Sequence, residues 1–135
     1  MKKKKILAVI VLICTMIAIG RPIAILYVLN NGNPYTKYMV NQHVPMHLEK
    51  QGYVEEDFIE AHYVTPKHLV NSEFYHLHYM VIFIDEPQLT YYYGLKKWSK
   101  DVDQFCQRDI LSEDGITSTF EGESNHLEKQ CANYY

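Results

Sequence analysis

The sequence predicts an α+β fold: an N-terminal transmembrane helix, then one amphipathic helix packed on an antiparallel sheet of three or four strands, then an irregular C-terminal tail. Three observations carry this prediction. An apolar run behind four lysines opens the chain, apolar residues recur at helical spacing between Asn33 and Gln51, and from Ile59 the period changes to the alternation of strands. Of the 135 residues, 135 − 29 = 106 follow the apolar run, enough for one domain with a modest core.

The apolar run comes first. Lys2, Lys3, Lys4 and Lys5 precede the uncharged stretch 6–20, Arg21-Pro22 interrupts it, and apolar residues resume through Leu29. Read as one helix, residues 6–29 span about 36 Å at ~1.5 Å per residue, enough to cross a hydrocarbon core of ~30 Å. Positive flanks stay in the cytoplasm, so residues 1–29 are expected to form a single-pass anchor in the cell membrane, N-terminus inside and the rest outside. Arg21 can extend its long stem to the headgroups, and Pro22 is tolerated where neighbouring groups satisfy the freed carbonyl. The alternative is a secretory signal, with residues 6–17 as its apolar region and Ala18-Ile19-Gly20 as a cleavage site, which would release the protein after cleavage near Gly20. The anchor is preferred because the apolar run resumes after Arg21. Cys14 reads as a small apolar packing residue, since Val11-Leu12-Ile13 lack the small side chains of a lipoprotein signal.

Charge divides the chain in the same place. Five of the 13 Lys and Arg precede residue 30 and all 16 acids follow it, so the remainder carries 8 − 16 = −8. Such a surface excludes a nucleic-acid partner, which needs a clustered basic face.

Residues 30–107 form the expected extracytoplasmic domain. Asn30-Asn31-Gly32 is a turn-forming linker, Asn33-Pro34 starts a helix with Asn as cap and Pro at the first helical position, and Gly52 stops it after Gln51. Tyr35, Tyr38, Met39 and Met46 share one face of this helix, and Val40, Val44 and Leu48 another. Pro45 removes the bond to the Asn41 carbonyl, which predicts a kink or break. Residues 59–64 read as a first strand. Residues 74–84 form a second, with Tyr75, Leu77, Tyr79, Val81 and Phe83 on one face and His76 and His78 on the other. Asp85-Glu86-Pro87-Gln88 is a turn, residues 89–95 a third strand, and residues 102–107 a fourth strand or a short helix.

Residues 108–135 are rich in Ser, Thr, Asn, Gly and acids, and their few apolar residues keep no period. A loosely packed or partly disordered tail is expected. Cys106 and Cys131 are the only cysteines beyond the apolar segment. They are either two free thiols or a disulfide that closes a loop of about 25 residues and contributes roughly 3 to 4 kcal/mol in the chain-entropy model.

Candidate chemistry is sparse. The seven histidines are His43, His47, His62, His68, His76, His78 and His126. His43 and His47 are spaced i, i+4 on a helix, and His76 and His78 i, i+2 on a strand, each a half-site for Zn or Cu. A metal site needs that helix face to lie on that strand face; otherwise these are solvated histidines. Within the tyrosine run, alternation places Tyr91 and Tyr93 in the core and Tyr92 outside. Glu55-Glu56-Asp57 lacks the spaced oxygens and glycine of a calcium loop and reads as a solvated turn. No nucleophile elbow, phosphate-binding loop or dinucleotide fingerprint is present, so no catalytic residue is assigned and a non-enzyme is expected.

The lysine block with its apolar run, Asn33-Pro34-Tyr35, Gly52-Tyr53, Asp85-Glu86-Pro87 and Tyr91-Tyr92-Tyr93-Gly94 form an ordered series over about residues 2–107. It resembles the family called domain of unknown function 3139, small membrane-anchored proteins of Gram-positive bacteria. The resemblance implies a membrane anchor and an extracytoplasmic domain, and no activity. Pro45 and the tail after Gln107 depart from the family's pattern. The functional expectation is a non-enzymatic envelope module that binds a protein or peptide, at a sheet edge if one is open. The alternative is a cell-surface protein binding a transition metal through His43, His47, His76 and His78.

Overall fold

The computed structural model describes residues 2–68 and 71–135. Its elements are α1 (Lys2–Asn31), α2 (Pro34–Lys50), β1 (Phe58–Val64), β2 (Phe74–Phe83), β3 (Leu89–Lys96), β4 (Val102–Gln104), β5 (Arg108–Leu111) and β6 (Thr117–Phe120). The chain divides after Pro34 into two compact units.

The first unit is α1. It passes through Pro22 without interruption and buries none of its residues against protein. A helix that is apolar all round has no face to turn toward water. This one is long and apolar enough to cross a membrane, a property that anchors and signal sequences share.

The second unit is an α+β domain. α2 opens at Pro34, where the missing N–H would have no partner in the first turn. Its apolar face is Thr36, Val40, Val44 and Leu48, a repeat of four that faces the sheet. The helix runs through Pro45 without a break. The carbonyl that Pro45 leaves unbonded belongs to Asn41, which is exposed and open to water. Gly52 ends the helix at φ +96°, and a paired closure follows: the Gly52 N–H donates to the Glu49 carbonyl at 2.9 Å and the Tyr53 N–H to the Leu48 carbonyl at 3.1 Å. The left-handed step explains the glycine.

The sheet is antiparallel, in the order β1-β2-β3-β5-β6, with β4 also paired to β3. Six strands exceed the three or four that the sequence predicts, because β5 and β6 arise where a tail is expected. Both are four residues long, and Thr117, Ser118 and Thr119 are all exposed, so no hydrophobic alternation marks them.

One face of the sheet receives α2. There Leu77, Tyr79, Val81 and Phe83 of β2 and Leu89, Tyr91, Tyr93 and Leu95 of β3 pack with Val40, Val44 and Leu48. The other face is covered by the chain's own end. β4 and β5 pair successive parts of β3, Tyr93 opposite Gln104 and Leu89 opposite Ile110, and the register slips between them at residues 105–107. Phe105 turns under β2 and β3, its ring centroid 5.0 Å from that of Phe74 and 4.6 Å from that of His78. A parallel bridge from Phe105 to Ala132 brings Tyr134 alongside, 5.1 Å from Phe105.

Candidate functional site

β1 pairs with β2 on one side, and its other edge carries no strand among the described residues. Beside that edge, between the second half of α2 and β1, lies a groove of about 540 Å³. Pro45 and Leu48 of α2, Tyr53 of the connection, Phe58 and Ala61 of β1 and Tyr79 of β2 supply its apolar wall, while Glu49 and Glu55 stand in its lining as carboxylates. β1 can border a groove because its register shifts between Phe58 and Glu60, which brings Ile59 into the same lining. The Tyr79 hydroxyl donates to the Ala61 carbonyl at 3.1 Å. Its pKa is raised by burial first and by the charge of Glu55 second, so Tyr79 stays a neutral donor and the field of Glu55 reaches the groove wall.

The turn 55–57 that leads into β1 is exposed, and Asp57 accepts the Val54 N–H at 2.9 Å. Glu55, Glu56 and Glu60 are exposed. Among the described residues no Lys, Arg or His is ion-paired to them or to Glu49; the ion pairs lie at His47–Glu128, Lys96–Asp103 and His126–Asp85.

The four histidines singled out as metal ligands do not converge. His43 and His47 stand on α2, where His43 Nδ1 lies 2.9 Å from the Met39 carbonyl and His47 Nε2 lies 2.9 Å from Glu128 Oε1. His78 is on the opposite face of the sheet, fully buried against Phe105 and Tyr134, and His76 is exposed on the same strand. The strands therefore lie between the two pairs. Among the described residues no group of three or more His, Cys, Asp or Glu is placed to hold a metal ion. Cys106 and Cys131 are brought together, their Cα atoms 5.0 Å apart and their sulfurs joined.

His126, which sequence spacing marks in no way, is the best-connected imidazole. Its ring stacks on Phe83 at 3.7 Å, its Nε2 lies 2.7 Å from Asp85 Oδ1 and its Nδ1 lies 2.9 Å from the Tyr53 hydroxyl. Burial, with Glu128 and Asp85 nearby, raises the Tyr53 pKa, so the phenol stays protonated at neutral pH. The line Asp85–His126–Tyr53 is a clasp joining the β2–β3 turn, the tail and the α2–β1 connection. Buried Gln104 extends it, donating to the Tyr93 hydroxyl at 2.9 Å and to the His126 carbonyl at 2.8 Å while accepting the Glu128 N–H at 2.8 Å. Arg108, also buried, donates to Ser124 Oγ and the Gly122 carbonyl and lies over the Phe120 ring at 5.2 Å.

On the face away from α2, a cavity of about 380 Å³ is bordered by Val64, Lys67, Tyr92, Asp109 and Tyr134. Tyr92, expected outside, is half-buried there and donates to Asp109 Oδ2 at 2.7 Å, because the C-terminal residues fold over it.

A helix fit for a membrane followed by an α+β domain with one open, groove-lined edge defines the class of this protein. The chain belongs to the family described as "Protein of unknown function (DUF3139)", whose model matches residues 1–93. That match takes in α1, α2, β1, β2 and every residue of the groove, and ends inside β3. Comparisons with curated proteins and with solved structures find no match.

Proposed function

We propose that this protein is a membrane-held module of the cell envelope, its α+β domain outside, that binds an extended protein segment at the edge of β1. The observation that carries this reading is the open β1 edge running beside an apolar groove. Unpaired N–H and C=O groups on an edge bind an added strand through main-chain hydrogen bonds, and a neighbouring groove takes its alternate side chains. The lysines at residues 2–5 support the orientation.

A photo-crosslinking side chain at Ile59, which lines the groove, is expected to yield a discrete protein adduct in intact cells. The same group at Ser118, on the exposed β6 edge, serves as the control. Equal yields at the two positions, or none at Ile59, would sink the proposal.

A further inference from the structure

From the charges around the groove we infer that the segment taken up by β1 is basic, with Lys or Arg at the alternate positions that face α2. This rests on the edge-binding reading and adds the chemistry of the occupant.

A strand laid antiparallel or parallel on β1 places every second side chain on the α2 side of the sheet. Ala61 marks that side: it pairs with Val81, which packs in the core beneath α2. A side chain entering there meets Leu48, Phe58 and Tyr79 first, and Glu49 and Glu55 stand in the same lining. A short apolar side chain fills the inner part and leaves the carboxylates with nothing. Lysine and arginine have the matching shape, an aliphatic stem for the apolar wall and a cationic head for the rim.

Charge complementarity points the same way. Glu49 and Glu55 in the groove lining, and Glu56 next to Glu55, have no ion-pair partner among the described residues, and they belong to a part of the chain with a net charge of −8. Lys37 lies 5.3 Å over the ring of Tyr63 at the far end of β1, and Lys50 follows Glu49 at the end of α2 without an ion pair to it. The Phe58 end is thus the acidic one, and basic side chains are drawn to it. The same acids repel a second copy of this edge, so self-pairing through β1 is disfavoured by like charge while a basic strand is selected.

The test uses the full chain in nanodiscs of zwitterionic lipid, so that neither detergent nor lipid attracts the probe electrostatically. Three capped octapeptides are compared: alternating Lys and Thr, alternating norleucine and Thr, and alternating Glu and Thr. The lysine peptide is expected to slow hydrogen exchange of β1 amides, to bind at least about fivefold more tightly than the norleucine peptide, and to weaken as salt is raised. Glu49→Gln with Glu55→Gln, both at exposed positions, is expected to remove that advantage and leave the norleucine peptide unchanged. If norleucine and lysine peptides protect β1 equally, the charge inference is overturned and edge binding stands. If no peptide protects β1, both fall.

Discussion

His78 occupies an unusual place for an imidazole. It is fully buried, its centroid lies 4.6 Å from Phe105 and 4.9 Å from Tyr134, and neither ring nitrogen has a partner among the described residues. Burial, with a smaller push from His76, lowers its pKa from 6.5 to about 4. The sign of the linkage follows. Above pH 6.5 the residue is neutral in both states and stability is undiminished; between 6.5 and about 4 the unfolded chain holds a proton that the folded one refuses. Stability is therefore expected to fall as pH drops through this window, by about 3 kcal/mol in all at 1.36 kcal/mol per pH unit. Asp85, whose pKa is held below 3.8 by its bond to His126, acts in the same direction but below this window. Urea unfolding at pH 7.5 and pH 4.5 measures the effect, and His78→Leu should flatten it. That variant should also be more stable at pH 7.5, by roughly 1 kcal/mol, since it removes two orphaned polar atoms. A destabilised His78→Leu would show that the nitrogens are satisfied. The sequence places His78 on the polar face of its strand, as the periodicity demands. What it does not reveal is that Phe105 and Tyr134, remote in the chain, turn that face into a second core.

The elements show where local pattern suffices. β2 and β3 are legible because ten and eight residues of alternation exceed what chance supplies, and α2 is legible from Val40, Val44 and Leu48 together with the Gly52 stop. β5 and β6 are held by register and by Arg108, whose hydrogen-bond partners Gly122 and Ser124 lie 14 and 16 residues away, and no local period announces such contacts. The slip between β4 and β5 depends on Gly94: a Cβ there would stand 2.6 Å from Phe105 Cζ and 2.7 Å from Phe74 Cδ1. Gly94→Ala is accordingly expected to cost about 1 to 3 kcal/mol, read as a lower urea midpoint at unchanged slope. An unaltered midpoint would mean that Phe105 does not pack across β3. The same slip places Cys106 against residues 131 and 132, where the Cys106 N–H donates to the Ala132 carbonyl at 2.9 Å. Cys131→Ser should lower stability by roughly 3 kcal/mol, the loop-closure value for the 25-residue separation. It should also make cleavage by trypsin after Lys129 faster than in the parent chain. If a reducing agent leaves the parent's midpoint unmoved, the two thiols are free in solution.

At the scale of the whole molecule, the segment that gives the chain its address is more legible than the surface that gives it a task. The address is written in one dimension, as four lysines and a run of apolar residues, whereas the groove needs α2, β1 and β2 assembled before Glu49 and Glu55 meet Leu48 and Phe58. The proposed orientation rests on charge. The four lysines precede α1's apolar stretch, no Lys or Arg occurs between Arg21 and Lys37, and all 16 acids come after α1. Short cationic flanks resist translocation and acids contribute little, so the lysine end is expected to stay inside. A cysteine at Trp98, 92% exposed, should react with a membrane-impermeant maleimide on intact cells, and one at Lys3 should react only after lysis. The reverse pattern would place the groove in the cytoplasm and remove the envelope partner with it. Recovery of the Trp98→Cys protein from the medium with Arg21 as its N-terminal residue would instead mean a released domain, with α1 spent as a signal. The groove would then meet its partner in solution, where its affinity has to do the work that confinement to a membrane surface does for an anchored protein.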